Sequence, residues 1–391
     1  MMPRIYFDNA ATSWPKPESV YAAVDHYQRE IGAPAGRGSY QAALAAGQLV
    51  EQARAGVARL IGASKPHHIV FTSSGTDALN LAIHGILSPG DHVVTTVCEH
   101  NSVLRPLQAW AENRNVNVTY VSCDNQGRVS AADVQAALQP KTKLVAVLHG
   151  SNVTGAVQPI EEIGQAVRSH PATFLVDAAQ TLGHLPLDVQ SLQIDLLAAP
   201  AHKGLLGPLG TGFLYIHPTV QQQLQPLRQG GTGSSSHQDR QPETLPDKFE
   251  AGNLNVPGLA GVAAACDFLQ QRSIEHIKAE TERLTTELLN GLGQLKPIRI
   301  YGPPAGTSRL GVVSFSVRGY DPQDISTLLD ASFGIACRAG LHCASRLHRT
   351  LGTDEIGGTV RLSLGFANTQ AEVESVLEAM ATICVTSATE G

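Results

Sequence analysis

Short apolar runs at residues 69–72, 92–97, 116–121, 144–148, 173–176 and 196–199 recur through the first half of the chain, separated by polar turns and by stretches of helical period such as 160–167. Runs of this length, rich in valine, isoleucine and leucine and without in-and-out alternation, read as strands buried on both faces. Their alternation with helical segments predicts a mostly parallel sheet flanked by helices, an α/β fold. After Asn255-Val256-Pro257-Gly258 the pattern changes. A long amphipathic stretch at 274–292 is followed by strand-like runs at 312–317 and 360–364, and a closing helix is announced by Thr369-Gln370-Ala371-Glu372, the spacing of a capping box. These features describe a smaller α+β unit. With 391 residues there is length for two substantial cores.

Composition narrows the class. A net charge of −6 without a basic run gives no electrostatic track for a phosphate backbone, which argues against nucleic acid as the main partner. No stretch approaches a membrane-spanning length, and Met1-Met2-Pro3-Arg4 lacks the apolar core of a signal peptide. The six cysteines, Cys98, Cys123, Cys266, Cys337, Cys343 and Cys384, show neither disulfide-framework nor zinc-finger spacing. A reducing, cytoplasmic setting is the expectation. Cys98 with His100, and His342 with Cys343 and His348, do not complete a ligand set, so no metal is expected.

The chemistry gathers at strand ends. Asp177 closes the run Phe174-Leu175-Val176-Asp177, and Lys203 lies downstream in Ala201-His202-Lys203-Gly204. A lysine amine condenses with an aldehyde cofactor, and a buried aspartate keeps a pyridine nitrogen protonated, so the pair points to pyridoxal phosphate. Alone, each has an ordinary alternative as a surface charge or a helix cap. Between the strand at 69–72 and the helical run Asp77-Ala78-Leu79-Asn80 lies Ser73-Ser74-Gly75-Thr76. A strand, a turn of small residues and a helix start leave free N–H groups for a phosphate, joined by the Thr76 hydroxyl, although such turns also serve merely as caps. His100, just past the run 92–97, is placed to stack on a cofactor ring or to be an ordinary strand-end histidine.

With Ile5-Tyr6-Phe7-Asp8-Asn9-Ala10-Ala11-Thr12, Ser151-Asn152-Val153-Thr154-Gly155, the lysine segment and Arg338-Ala339-Gly340-Leu341-His342-Cys343 in this order, nearly the whole chain resembles the cysteine desulfurases. These belong to the class V aminotransferase group, and the last motif resembles the branch that includes selenocysteine lyases. The resemblance implies a pyridoxal-phosphate fold of type I. Its large domain, residues 16–257, would hold a mostly parallel seven-stranded sheet, and residues 1–15 with 258–391 would form the small domain.

The resemblance also implies roles. Lys203 would be the Schiff-base lysine and the base at the substrate Cα; Asp177 would pair with the pyridinium, Gln180 with the phenolic oxygen, and His100 would cover the ring. Gly75, Thr76 and His202 would hold the phosphate. Asn152 and Arg361 would bind the amino acid, the arginine through the bidentate geometry that suits a carboxylate. Cys343 would attack the substrate sulfur, leaving alanine and an enzyme persulfide, with Arg338 and His342 lowering the thiol pKa if the loop turns them inward. The substrate would be L-cysteine, with L-selenocysteine the alternative, and the sulfur would pass to an acceptor protein serving iron–sulfur cluster or thiocofactor assembly. A C–S lyase and a non-catalytic scaffold are the other readings.

The polar stretch at 230–246 reads as a linker by composition. The resemblance instead sends it, with Phe249-Glu250-Ala251-Gly252 and Asn253, to the cofactor phosphate of a neighbouring subunit, implying a homodimer in which Arg37 also projects into the partner's site. Pro200-Ala201 stands where relatives have Ser-Gly, and Asn253 where they have threonine, which removes one hydroxyl contact and replaces another with an amide.

Overall fold

The computed structural model describes residues 4–234 and 237–389. The chain enters through a short strand, β1 (Ile5–Tyr6), and two helices, α1 (Glu18–His26) and α2 (Gln41–Leu60). The alternation follows: β2 (Ile69–Thr72), α3 (Gly75–Ile86), β3 (His92–Thr96), α4 (Asn101–Arg114), β4 (Asn117–Val121), α5 (Ala131–Ala136), β5 (Thr142–Leu148), α6 (Ile160–Arg168), β6 (Thr173–Asp177), β7 (Leu196–Pro200) and β8 (Gly212–Ile216). Then come α7 (Val256–Arg272), α8 (Ile274–Gly293), β9 (Ile298–Tyr301), β10 (Val312–Val317), α9 (Pro322–Phe333), β11 (Ile335–Ala336), β12 (Arg338–Gly340), α10 (Ser345–Leu351), β13 (Thr359–Ser363) and α11 (Gln370–Thr389).

The large sheet has seven strands in the order β2-β8-β7-β6-β5-β3-β4. All pairings are parallel except those of β8, which runs against both β2 and β7. Six of the strands are the apolar runs read above. The seventh, β8, is a buried Gly-Phe-Leu-Tyr-Ile run of the same kind, but it enters from a turn rather than a crossover helix and so breaks the repeating pattern. Because β8 runs against both of its neighbours, the other six strands point the same way. The loops after β2, β3, β5, β6 and β7 therefore leave by one edge, which is where open α/β sheets bind ligands.

β2 lies at the sheet margin, and its outward polar groups are met by side chains. Arg54 of α2 donates to the Ile69 carbonyl at 2.5 Å, and Glu250 accepts from the Phe71 N–H at 2.7 Å. The two side chains pair with each other at 2.8 and 2.9 Å, both buried. An ion pair thus closes an edge that would otherwise expose a row of unpaired groups. Glu250, which the resemblance sends towards a neighbouring subunit, is committed inside its own chain.

β12-β13-β10-β9 form a second, antiparallel sheet. Leu288 of α8, Phe315, Leu362 and Met380 of α11 share its core with Phe7, and β1 pairs with β11, so the amino-terminal residues pack here. The capping box is present: the Thr369 N–H donates to Glu372 at 2.8 Å and the Glu372 N–H to the Thr369 hydroxyl at 3.3 Å. α7 packs with the large sheet, its Leu259, Val262 and Leu269 joining that core.

The described residues of 230–246 are tied down rather than free. Arg37 donates to the Gly231 carbonyl at 3.1 Å, the Gly252 N–H returns to the same carbonyl at 2.8 Å, and Ser234 bonds Asp247. Ser235 and Ser236 lie outside the described residues, as do Met1, Met2 and Pro3. Among the described residues no helix is long and apolar enough to cross a membrane.

Candidate active site

One cavity at the carboxyl edge of the large sheet gathers residues from five loops: Gly75 and Thr76 after β2, His100 after β3, Asn152 after β5, Asp177 and Gln180 from β6, and His202 with Lys203 after β7. Asp177 is buried, accepting from the Ala179 N–H at 2.9 Å. Burial pushes its pKa up, with Ala179 and the Lys203 charge opposing. Lys203 is driven the other way, down to about 8, chiefly by desolvation; Asp177 holds it up while Arg361 and Arg338 push it lower. An amine that deprotonates near neutrality is a competent nucleophile and base.

At the cavity's other end the N-terminus of α3 is capped by Ser74, whose hydroxyl accepts from the Asp77 N–H at 3.1 Å. The N–H groups of Gly75 and Thr76 precede any intrahelical acceptor. Gly75 is required by close packing: a Cβ there would lie 2.8 Å from Pro200 Cδ and 3.0 Å from its nitrogen. His202 contributes a buried Nδ1 without a partner. Its pKa falls to about 4 through burial and the charges of Lys203 and Lys16, leaving a neutral ring. His100 caps α4; its Nδ1 accepts from the Ser102 N–H at 3.1 Å, which puts the proton on Nε2, and burial with the Lys203 charge lowers its pKa to about 4. Thr76 and Ser102 hydroxyls meet at 2.7 Å. Lysine, carboxylate, an imidazole and a helix N-terminus with an unpartnered histidine nitrogen fit a cofactor carrying an aldehyde, a ring nitrogen and a phosphate.

The Cys343 loop, from the smaller unit, adjoins the cavity at Asn152 and itself lines a neighbouring groove. His342 and Cys343 have φ of 46° and 60°, two successive residues in the left-handed region, a costly backbone for non-glycine residues. The loop is pinned on both sides. The Asn152 amide donates to the His342 carbonyl at 2.6 Å, and the Asn101 N–H to the Cys343 carbonyl at 2.8 Å. Arg338 Nη2 stands 3.7 Å from Cys343 Sγ. Arg361 donates to the Asn152 carbonyl at 3.1 Å and to Asp8 at 2.7 Å, while its buried Nε has no partner.

A protein-family model, aminotransferase class-V, matches residues 5–376. The chain belongs to the class V aminotransferase family. Within the family, it is 38% identical over 379 residues to a probable cysteine desulfurase of Methanothermobacter thermautotrophicus, covering 96% of this chain and 94% of the relative. It is 34% identical to a cysteine desulfurase of Haloferax volcanii, covering 97% and 89%. Among solved structures, the apo cysteine desulfurase of Thermococcus onnurineus superposes with a TM-score of 0.92 at 35% identity, over 98% of this chain and 95% of that one. An Escherichia coli cysteine desulfurase superposes with 0.86 at 29% identity, over 97% and 94%.

Against this family background one expectation is corrected. His342 does not turn toward the thiol with a charge: it is buried, its Nε2 lies 3.0 Å from the Thr359 carbonyl, and burial with the Arg361 charge takes its pKa down to about 2. Arg338 alone of the two faces Cys343. Within one chain, Asn253 and Arg37 do not line the cofactor cavity; each borders a separate pocket, Asn253 beside Arg228 and Arg37 beside Thr232. Gln180 lines the cavity, with its amide donating to the Ala10 carbonyl at 3.0 Å. His348, the third member of the apparent histidine and cysteine cluster, has its Nδ1 2.7 Å from the Thr353 hydroxyl, and no metal-holding group of three occurs among the described residues.

Three residues escaped the sequence. Asp8 anchors Arg361; Glu99, buried beneath the site and pushed up to about 8 by burial, bonds Thr96 at 2.6 Å. Lys16 donates to Ser13 and to the His202 carbonyl, both at 2.7 Å, and burial lowers it to about 8. Each stands beside a quoted motif, but only the fold aims it inward.

Proposed function

We propose that the protein is a pyridoxal-phosphate-dependent cysteine desulfurase that converts L-cysteine to L-alanine and holds the sulfur on Cys343 as a persulfide for an acceptor. The observation that carries this reading is the half-buried Cys343 thiol on a strained loop that the cavity residue Asn152 pins through the His342 carbonyl, with Arg338 3.7 Å from the sulfur. An aminotransferase would have no use for that thiol. Pyridoxal phosphate, when bound, supplies the aldehyde and the electron-accepting ring.

The chain's own residues supply the rest. Lys203 carries the cofactor and moves the proton at the substrate Cα, Asp177 holds the ring-nitrogen proton, Gln180 donates to the phenolic oxygen, and His100 covers the ring as a neutral imidazole. Gly75, Thr76 and His202 hold the phosphate. Arg361, oriented by Asp8, takes the substrate carboxylate beside Asn152. Cys343, with the Arg338 guanidinium 3.7 Å from its sulfur, attacks the substrate sulfur. Arg37 and Asn253 belong to the same proposal as cross-subunit contributions in a homodimer. A reducing cytoplasmic setting accords with six cysteines that form no disulfide among the described residues.

The test is a single turnover of the cofactor-loaded protein with L-cysteine, with alanine quantified and the Cys343 peptide weighed. Stoichiometric alanine and one added sulfur on Cys343 are expected. Pyruvate and free sulfide with Cys343 unmodified would overturn the assignment in favour of a lyase. Cys343→Ala is expected to abolish cysteine turnover; activity confined to L-selenocysteine in the parent protein would move the assignment to that substrate.

A further inference from the structure

A groove of about 690 Å³, lined in part by Cys343 and sharing no lining residue with the cofactor cavity, opens between α4, β4 and the segment from β12 to α10. Four guanidinium groups line it, those of Arg105, Arg338, Arg346 and Arg349, and no lining residue is acidic. None of the four forms an ion pair among the described residues. Arg346 is held in place by the Tyr120 ring, its Cζ 3.6 Å from the centroid, and Arg105 and Arg349 are exposed. This cluster sits on a chain whose net charge is −6, so it is a local reversal of sign rather than a reflection of overall composition. Leu341, next but one to Cys343, is 40% exposed in the midst of it.

We infer that this groove docks the sulfur acceptor, and that the acceptor is a protein presenting its thiol on an acidic segment with an apolar side chain for Leu341. The inference rests on the desulfurase reading and names the partner's chemistry. Unpaired arginines around an exposed leucine reproduce the polar rim and apolar centre of a protein interface. A single small thiol would fill only part of such a groove and has nothing to offer the leucine. Opposite charge steers encounter and fixes orientation, bringing one thiol to one sulfur.

The transfer balances without a co-reactant. The acceptor thiolate attacks the outer sulfur of the Cys343 persulfide, a new S–S bond forms on the acceptor, the old one breaks, and Cys343 leaves as thiolate beside Arg338. Oxidation state is exchanged between the two cysteines with no net change.

The experiment uses the cofactor-loaded protein and two fluorescent peptides of equal length around a central Ser-Leu, one flanked by glutamates and one by lysines, with cysteine versions for transfer. Anisotropy is expected to show the acidic peptide binding at least about tenfold more tightly at low salt, the preference shrinking as salt rises. The double reversal Arg105→Glu/Arg349→Glu is expected to invert the preference, an outcome misfolding does not mimic, while persulfide formation without peptide stays at the parent level. Equal binding of the two peptides, or an unchanged preference in the double variant, would overturn the inference. So would sulfur transfer to mercaptoethanesulfonate as fast as to the acidic cysteine peptide. Binding is read without turnover, so the two readings fail separately: a charge preference with no sulfur on Cys343 sinks the desulfurase assignment, and sulfur on Cys343 with no preference sinks the groove.

Discussion

The edge of the large sheet offers a sharp test because one ion pair replaces a missing strand. Arg54 and Glu250 are both buried and paired through two bonds of 2.8 and 2.9 Å, and each also holds a backbone group of β2, the Ile69 carbonyl and the Phe71 N–H. Glu250→Gln leaves the buried guanidinium with only the exposed Glu51, 3.2 Å from its Nε, as counter-charge, and Arg54→Met leaves a buried carboxylate; each single change is expected to cost about 3–5 kcal/mol. Arg54→Met with Glu250→Leu removes both charges together, so only the two backbone groups are stranded, at about 1–3 kcal/mol each, offset by the desolvation no longer incurred. The double variant is therefore expected to be no worse than either single one, giving a coupling energy of about 3 kcal/mol or more. Urea unfolding of the cofactor-loaded protein, followed by circular dichroism and by tryptophan fluorescence, measures it, and coincident transitions by both probes would license the free energies. Trp110 packs on the core of the large sheet and reports its loss. Single-variant costs that simply add in the double variant would refute the reasoning, since the two side chains would then support β2 independently.

Two further outcomes follow from the cavity. Lys203 in the cofactor-free protein titrates near 8, below an unfolded lysine near 10.5, so between those values the unfolded chain binds the extra proton and stability rises with pH. Lys203→Met removes this dependence: the variant is expected to be the more stable at pH 7, with the gap closing as pH climbs from 8 to about 10.5, and a flat difference across that range would refute the desolvated amine. Gly75→Ala drives a Cβ to 2.8 Å from the Pro200 ring, which must shift with the phosphate turn; cofactor affinity, titrated by absorbance, is expected to fall about tenfold or more, and unchanged affinity would separate that turn from the cofactor.

The sequence alone determined the strand and helix alternation, the capping box at Thr369 and Glu372, and the motifs around Asp177, Lys203 and Cys343, because each is local: a run of buried residues, a three-residue spacing, a turn of small side chains. It did not mark β8, whose buried run follows a turn rather than a crossover helix and so falls outside the alternation. Nor did it mark the partners that lie far away along the chain. Tertiary structure alone decided that Asp8 grips Arg361 across 353 residues, that Glu250 turns inward to Arg54 across 196, and that Arg338 rather than His342 faces the thiol. A charge or a hydrogen-bonding group carries no directional preference in sequence. What surrounds it, and hence whether burial strips its proton or a neighbour restores it, is set only when distant segments pack.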